Sequence, residues 1–104
     1  MTTKIIPKRE YTTDGIQETI LLESQDSNGN TTIGIDVGGG ASVTVQASIS
    51  PSNTDSPLWY NILNLAGVTA NTLAVLANTP IRSLRVVTSG VVDTVTLEVA
   101  REVV

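Results

Sequence analysis

Apolar and polar residues alternate with a period of two along several stretches of the chain. The alternation is clear in residues 31–37, 41–49 and 94–103. A period of two places successive side chains on opposite faces of a β-strand, so each stretch predicts a strand with one buried face. The residues expected to face inward are Ile33, Ile35, Val37, Val43, Val45, Ala47, Ile49, Val95, Leu97, Val99 and Val103, with Arg101 interrupting the last series.

An earlier strand is predicted over residues 16–24, where Ile20 and Leu22 face one way and Leu21 the other. The run of residues 26–30 follows it and contains Asn-Gly. Both residues of this pair tolerate a positive φ, which suits the two-residue turn of a β-hairpin. The sequence therefore predicts a hairpin that joins this strand to the next one.

The second half of the chain predicts three more strands. Residues 58–65 and 81–89 alternate, and Leu84 and Val86 share one face of the latter. Residues 66–78 suit either one helical turn or a short strand, and we favour the strand. The polar, proline-containing residues 50–57 predict a loop.

About seven short strands, spaced by roughly 8 to 12 residues and joined by Gly, Pro and Asn turns, are typical of an all-β fold. A parallel sheet would need crossover helices, for which 104 residues leave no room. We predict one antiparallel β-sandwich, jelly-roll or immunoglobulin-like, over residues 16–104. Residues 1–15 contain Pro and Gly without a sustained period and predict an extended N-terminal arm that contacts partner subunits.

Composition and charge narrow the possible partners. Val, Ile and Thr make up 37 of the 104 residues, as expected for strands. The net charge is −4 with six basic residues, which argues against a nucleic-acid partner. The chain contains no apolar run near the roughly 20 residues of a membrane helix, so we expect no membrane partner. With no Cys there is no disulfide framework.

Candidate catalytic groups are few. The chain has no His and no Cys, and the lysines that might serve as a base, Lys4 and Lys8, lie in the predicted arm. Glu98 and Glu102 are predicted to face solvent on one strand and not to form an acid/base pair. The triple glycine at 38–40 lacks the Lys and the following helix of a phosphate loop. We therefore expect neither an enzyme nor a bound cofactor or metal.

Four residues are candidates for contacts with a partner. Trp59 and Tyr60 are adjacent and should point to opposite faces, and we favour Trp59 for the core and Tyr60 for the surface. Arg82 and Arg85 should also face opposite ways, and we interpret them as partners in salt bridges between strands or subunits. Tyr60 and the loop 50–57 would suit a small carbohydrate-binding or protein-binding module.

The order of features from Ala41 onward carries a family resemblance. ASVTVQASIS is followed by a polar loop, WYNIL, a variable stretch, PIRSLRVVTSG and VDTVTLEVA. This order resembles the small β-sandwich virion proteins of tailed bacteriophages, although the loop before the Trp is longer and Ile81 replaces a frequent aromatic residue.

The resemblance implies a structural virion protein present in many copies. The expected function is that of a capsid decoration, or cement, protein that stabilises the phage head as a homo-oligomer, with a trimer favoured. Its partner would be the major capsid protein or another virion protein. Its place would be the capsid surface, after assembly in the host cytoplasm. The alternatives are a neck or tail accessory subunit and the binding module.

Overall fold

The computed structural model describes residues 2–22, 30–50, 56–77 and 81–103. These residues form nine β-strands in two antiparallel sheets that pack as a sandwich, which confirms the predicted all-β class. The strands are β1 (Thr2–Tyr11), β2 (Gly15–Ile16), β3 (Ile20–Leu21), β4 (Thr31–Val37), β5 (Ser42–Ser48), β6 (Tyr60–Asn61), β7 (Thr72–Leu76), β8 (Ser83–Ser89) and β9 (Val95–Val103).

The first sheet, sheet A, has the order β1-β9-β4-β7. β1 pairs with β9 over almost its whole length, and its register shifts between Ile6 and Arg9. β7 lies at the opposite edge and pairs with β4 from Thr72 to Leu76. The Asn71 side chain also accepts a hydrogen bond from the backbone N–H of Val37, at 2.8 Å. Both edges of sheet A are therefore formed by strands of five or more residues, and β1 has one irregularity.

The second sheet, sheet B, is built around β8 and β5, which pair along seven residues. Two short strands, β2 and β3, lie along the free side of β8. The free side of β5 is covered by β6 and by the segment that follows it, in which Leu65 accepts a hydrogen bond from Val45 and Val68 exchanges two with Val43. Both edges of sheet B are therefore covered by short, irregular segments.

The core lies between the two sheets and consists mainly of Val, Ile and Leu. Burying one such side chain is worth roughly 1.5–3 kcal/mol relative to leaving it exposed, so this layer supplies most of the driving force for folding. Tyr11, at the end of β1, is the large aromatic residue among the described core residues. The core residues are Tyr11, Ile20, Leu22, Ile33, Ile35, Ala41, Val43, Val45, Ala47, Ile62, Leu65, Ile81, Leu84, Val86, Val95, Leu97 and Val99.

The assignment of residues 1–15 to an arm is corrected for Thr2–Tyr11, which form a full strand of sheet A. The prediction of an arm rested on Pro7, Lys8, Arg9 and Gly15 and on the lack of a sustained period, and Pro7 cannot donate a hydrogen bond to a neighbouring strand. Pro is tolerated on an edge strand and at a bulge, and Pro7 lies in the irregular part of the register between Ile6 and Arg9. The segment is extended, as predicted, but it belongs to the sandwich.

The predicted hairpin around residues 26–30 is also corrected. Residues 26–29 lie outside the described residues, but the strands on either side are in different sheets. β3 pairs with β8 in sheet B, whereas β4 pairs with β9 and β7 in sheet A. Asn-Gly specifies local backbone geometry, and it cannot specify which distant strand each flank pairs with.

The triple glycine connects the two sheets instead of forming a hairpin loop. β4 ends at Val37 in sheet A and β5 begins at Ser42 in sheet B. Gly39 and Gly40 have φ values of 67° and 82°, a region that side chains disfavour. Glycine therefore lets the chain turn sharply from one layer to the other.

The remaining strand predictions are partly confirmed. Residues 66–78 contain the strand β7, as favoured, whereas residues 58–65 keep only Tyr60–Asn61 as strand. Ile49 was predicted to face inward and is 59% exposed, because β5 ends one residue before it. Of the predicted loop 50–57, residues 51–55 lie outside the described residues, and the rest contains no strand.

Candidate assembly surface

Two of the four predicted interaction residues meet on the outer face of sheet B. The guanidinium carbon of Arg85 lies 4.4 Å from the ring centroid of Trp59, a cation–π contact. The Arg85 Nε–H also donates to Oε1 of Gln46, at 2.6 Å, and Nε2 of Gln46 donates to Oδ1 of Asn61, at 2.9 Å. Because Gln46 is paired with both Arg85 and Asn61, these side chains form a polar row across three strands.

The placement of Trp59 differs from the prediction. Its side chain is half-buried and lies outside the core cluster, beneath Arg85. The prediction assumed that a core without Phe needs its one Trp, but Tyr11 and the aliphatic side chains fill the space between the sheets. Tyr60 is 57% exposed, as favoured. The structure therefore places both aromatic residues outside the core.

The described contacts of Arg85 differ from the expected salt bridge between strands. Arg85 makes its described contacts with an amide and a ring. The backbone N–H of Arg82 donates to the carbonyl of Ser48, and the Arg82 carbonyl accepts from the N–H of Leu22. Just before β8 begins, the Arg82 backbone is therefore hydrogen-bonded to the chain on both sides. Its side chain is half-buried. A role of these residues in binding a partner stays a prediction.

Sequence reasoning missed the outer face of sheet A, where large apolar side chains point into solvent. Ile5 on β1 is 69% exposed, and Leu73 and Val75 on β7 are 71% and 55% exposed. Exposed apolar side chains that share one face are a common feature of interaction sites in soluble proteins. The available signal was the sequence TLAVL, residues 72–76, which is apolar at both alternating positions and therefore suits a strand covered on both faces.

Between these side chains the outer face forms a groove of about 460 Å³. Its floor is formed by residues of the two central strands that have a small side chain or none: Thr32 and Gly34 on β4 and Ala100 on β9. One wall is formed by β1 and the other by Leu73 on β7. The lining residues are Ile5, Ile6, Pro7, Lys8, Thr32, Gly34, Leu73, Glu98, Val99 and Ala100.

The two edges of sheet A differ in how they meet solvent. β1 carries Lys8 and Glu10, whose charged groups lie 4.0 Å apart, and the bulge at Pro7 interrupts its regular edge. Charges, Pro and bulges are the usual means of preventing an edge strand from pairing with another chain. β7 contains neither charge nor Pro, and its outer edge pairs with no strand among the described residues.

The surroundings of Tyr11 perturb its phenol group. Burial raises the pKa of the Tyr11 phenol above its ordinary value, an effect that the positive charge of Arg9 opposes and the negative charge of Glu18 reinforces. The Tyr11 hydroxyl is buried without a hydrogen-bond partner among the described residues. This group lies in the core and not on the groove.

Within the described residues, no cluster of three or more His, Cys, Asp or Glu side chains is placed to hold a metal ion. The same part of the chain contains no helix that is long and apolar enough to cross a membrane.

Comparison with known proteins gives one structural similarity. Neither a protein-family model nor a curated protein matches the sequence. The chain is similar to a solved structure described under the words "Bacillus endospore appendages form a novel family of disulfide-linked pili". The match covers 99% of this chain and 88% of that chain, with 9% sequence identity and a TM-score of 0.47.

Proposed function

We propose that this protein is a structural subunit that assembles with copies of itself through sheet A. In its more specific form, the proposal is a capsid decoration protein that binds the head of a tailed phage as a trimer and stabilises it. The protein would act by binding and not by catalysis.

The edge strand β7 is the observation that supports this function. Leu73 and Val75 expose apolar side chains on one face, and the backbone groups on the outer side of the strand meet no partner strand among the described residues. An unprotected apolar edge promotes aggregation unless the working assembly covers it. A closed symmetric oligomer covers such edges and adds apolar burial to a domain with a thin stability margin.

The location on the virion is supported by the sequence resemblance alone. The features from Ala41 to Ala100 follow the order found in small β-sandwich virion proteins of tailed phages. A trimer would match the three-fold positions of a capsid, and its other face would contact the major capsid protein. A neck or tail subunit with the same fold would use the same edges in a ring of different symmetry.

The first test is the mass of the purified protein by light scattering over a concentration series, followed by co-sedimentation with undecorated phage capsids. The expected results are a mass of three chains and sedimentation that requires the capsid. A monomer at every concentration that does not sediment with capsids would contradict the proposal.

A second candidate, a small carbohydrate-binding or protein-binding module, is favoured by the exposure of Tyr60. Its ring is 57% exposed beside the half-buried Trp59, and aromatic rings at a surface are common platforms for ligands. This module would be a monomer. Its melting temperature would rise with a glycan or peptide ligand, and the Tyr60→Ala variant would lose that rise.

A further inference from the structure

Gly34 has no reason within the chain itself to be glycine. It lies in the middle of β4, and its φ is outside the region that requires glycine. A Cβ added there would approach its nearest neighbour, Cδ1 of Leu73, at 3.6 Å, which is an ordinary van der Waals contact. Glycine within a strand is destabilising relative to residues with a side chain. Such a glycine often marks a bulge, a bend or a place where a ligand or another backbone approaches closely, and β4 pairs on both sides of Gly34 without a register shift.

Gly34 forms part of the floor of the groove on the outer face of sheet A. A side chain at this position would project into the groove between Leu73 and Glu98. Glycine at this position therefore leaves part of the floor of the groove, whose volume is about 460 Å³, free of a side chain. The neighbouring floor residues, Thr32 and Ala100, are also small.

The charges of the groove and of the chain indicate what fills it. Lys8 and Glu98 line the groove and offset each other, so a neutral, apolar occupant suits it. The chain has a net charge of −4, and copies repel each other wherever acidic residues meet. No charged residue lies between Asp55 and Arg82, and this neutral stretch contains β7 with its exposed Leu73 and Val75.

We propose that the groove over Gly34 receives the β7 edge of a second copy, with the apolar side chains of that edge packed on the glycine floor. This inference rests on the proposed self-assembly and names the two surfaces that meet. The contact is heterologous, because the edge of one copy meets the groove of the next, and it closes when the rotation between copies completes a ring.

Two variants separate the two surfaces. Gly34→Val places a branched side chain on the floor of the groove, in contact with Leu73, and leaves Val75 on the β7 edge unchanged. Val75→Lys places a charge on the edge and leaves the groove unchanged, because Val75 is 55% exposed and does not line the groove. Each variant alone is expected to self-associate at least tenfold more weakly than the wild type, as measured by light scattering. Gly34→Val should keep or raise the melting temperature, because a β-branched side chain favours the strand.

The mixture of the two variants is the decisive sample. The intact edge of Gly34→Val can enter the intact groove of Val75→Lys, so an equimolar mixture is expected to form a complex of two chains. Ser89→Val is the control. It adds the same side chain at an exposed strand position in sheet B, and its assembly should equal that of the wild type. Gly34→Ala provides a smaller change if Gly34→Val does not fold.

The possible outcomes separate this inference from the proposed function. Wild-type assembly that Gly34→Val and Gly34→Ala leave unchanged would overturn the groove contact and leave self-assembly standing. Two monomeric variants that form no mixed complex would overturn the edge-to-groove arrangement, since they would indicate contact between identical surfaces. A wild-type protein that stays monomeric would overturn the groove contact, and it would also overturn the proposed function if the monomer does not sediment with capsids.

Discussion

The two sheets contribute similar apolar layers to one core, but their outer faces and edges differ. On sheet B, the Gln46 side chain accepts a hydrogen bond from Arg85 and donates one to Asn61, and short segments cover both edges. On sheet A, the exposed apolar residues Leu73 and Val75 flank an open groove, and β7 presents an uncharged edge. Sheet B therefore has a polar row on its outer face and covered edges, whereas sheet A has a groove and an uncharged edge strand.

Apolar exposure by itself does not distinguish the two sheets. Sheet B also has exposed apolar residues along both edges: Ile16 and Leu21 at 64% and 66% beside β8, and Leu58, Tyr60 and Leu63 at 65%, 57% and 83% in or beside β6. There they lie in or next to strands of two residues, which offer little backbone for pairing with another chain. The combination of a regular edge, apolar side chains and a groove occurs on sheet A.

The largest expected effect tests whether the inner faces of both sheets contribute equally to the stability of the core. Leu84 of sheet B and Leu97 of sheet A are 0% and 1% exposed. Each Leu→Ala variant should lower the free energy of unfolding by about 2–5 kcal/mol, because it removes buried methyl groups and leaves a cavity. Urea denaturation monitored by circular dichroism measures the loss. A large loss for one variant and almost none for the other would show that the sheets do not share one cooperative core.

The next effect tests whether the sheets differ on the outside. Leu73→Lys on sheet A should weaken self-association at least tenfold, or about 1.4 kcal/mol, because it places a charge in the apolar contact. Leu21→Lys, at a similarly exposed position on sheet B, is the matched variant and should assemble like the wild type. The mass measured by light scattering over a dilution series decides between them. Equal weakening in both variants would contradict a specific role for sheet A.

A smaller effect tests the polar row of sheet B. Arg85→Ala removes the hydrogen bond to Gln46 and the cation–π contact with Trp59, and should lower the free energy of unfolding by about 1–2 kcal/mol. Lys8→Ala on β1 removes a solvent-exposed ion pair and should change it by less than about 0.5 kcal/mol. Thermal denaturation of both variants checks the difference. A larger loss for Lys8→Ala would reverse the comparison.

The smallest effect concerns the inner face of sheet A at alkaline pH. The pKa of Tyr11 is raised in the folded protein, so the unfolded chain releases this proton first. Stability is therefore expected to fall as the pH rises above the ordinary tyrosine value, about 10, toward the folded pKa. Tyr11→Phe should weaken this fall and leave stability near neutral pH similar or higher. An unchanged alkaline transition would show that Tyr11 does not contribute.

The sequence predicted the strands and the buried faces well where the alternation was regular. Ile33, Ile35, Val43 and Val45 are buried as the period of two indicated, because alternation directly reports which face of a strand meets the core. The pairing of strands was not predictable in this way. Asn-Gly near residue 28 favours a tight turn, but β3 and β4 belong to different sheets, and long-range packing decided that.

The candidate site was harder to predict than the fold. Trp59 was predicted to lie in the core because it is a rare large residue, but it is half-buried beside Arg85. The groove depends on Gly34, Ala100 and Leu73, three residues on different strands that meet only after the order of sheet A is set. No pattern within one strand predicts that these three residues lie close together. The local signs in the sequence were a strand glycine at an outward position and the apolar run TLAVL, residues 72–76.

Residue-resolved amide hydrogen exchange at low and high protein concentration tests the central claim most directly. The backbone amides of β7, Thr72–Leu76, should exchange more slowly as concentration rises, because a second copy covers this edge. The amides of β6, Tyr60–Asn61 in sheet B, should exchange at the same rate throughout. Exchange of β7 that does not depend on concentration, in a protein that light scattering shows to be assembled, would contradict assembly through sheet A.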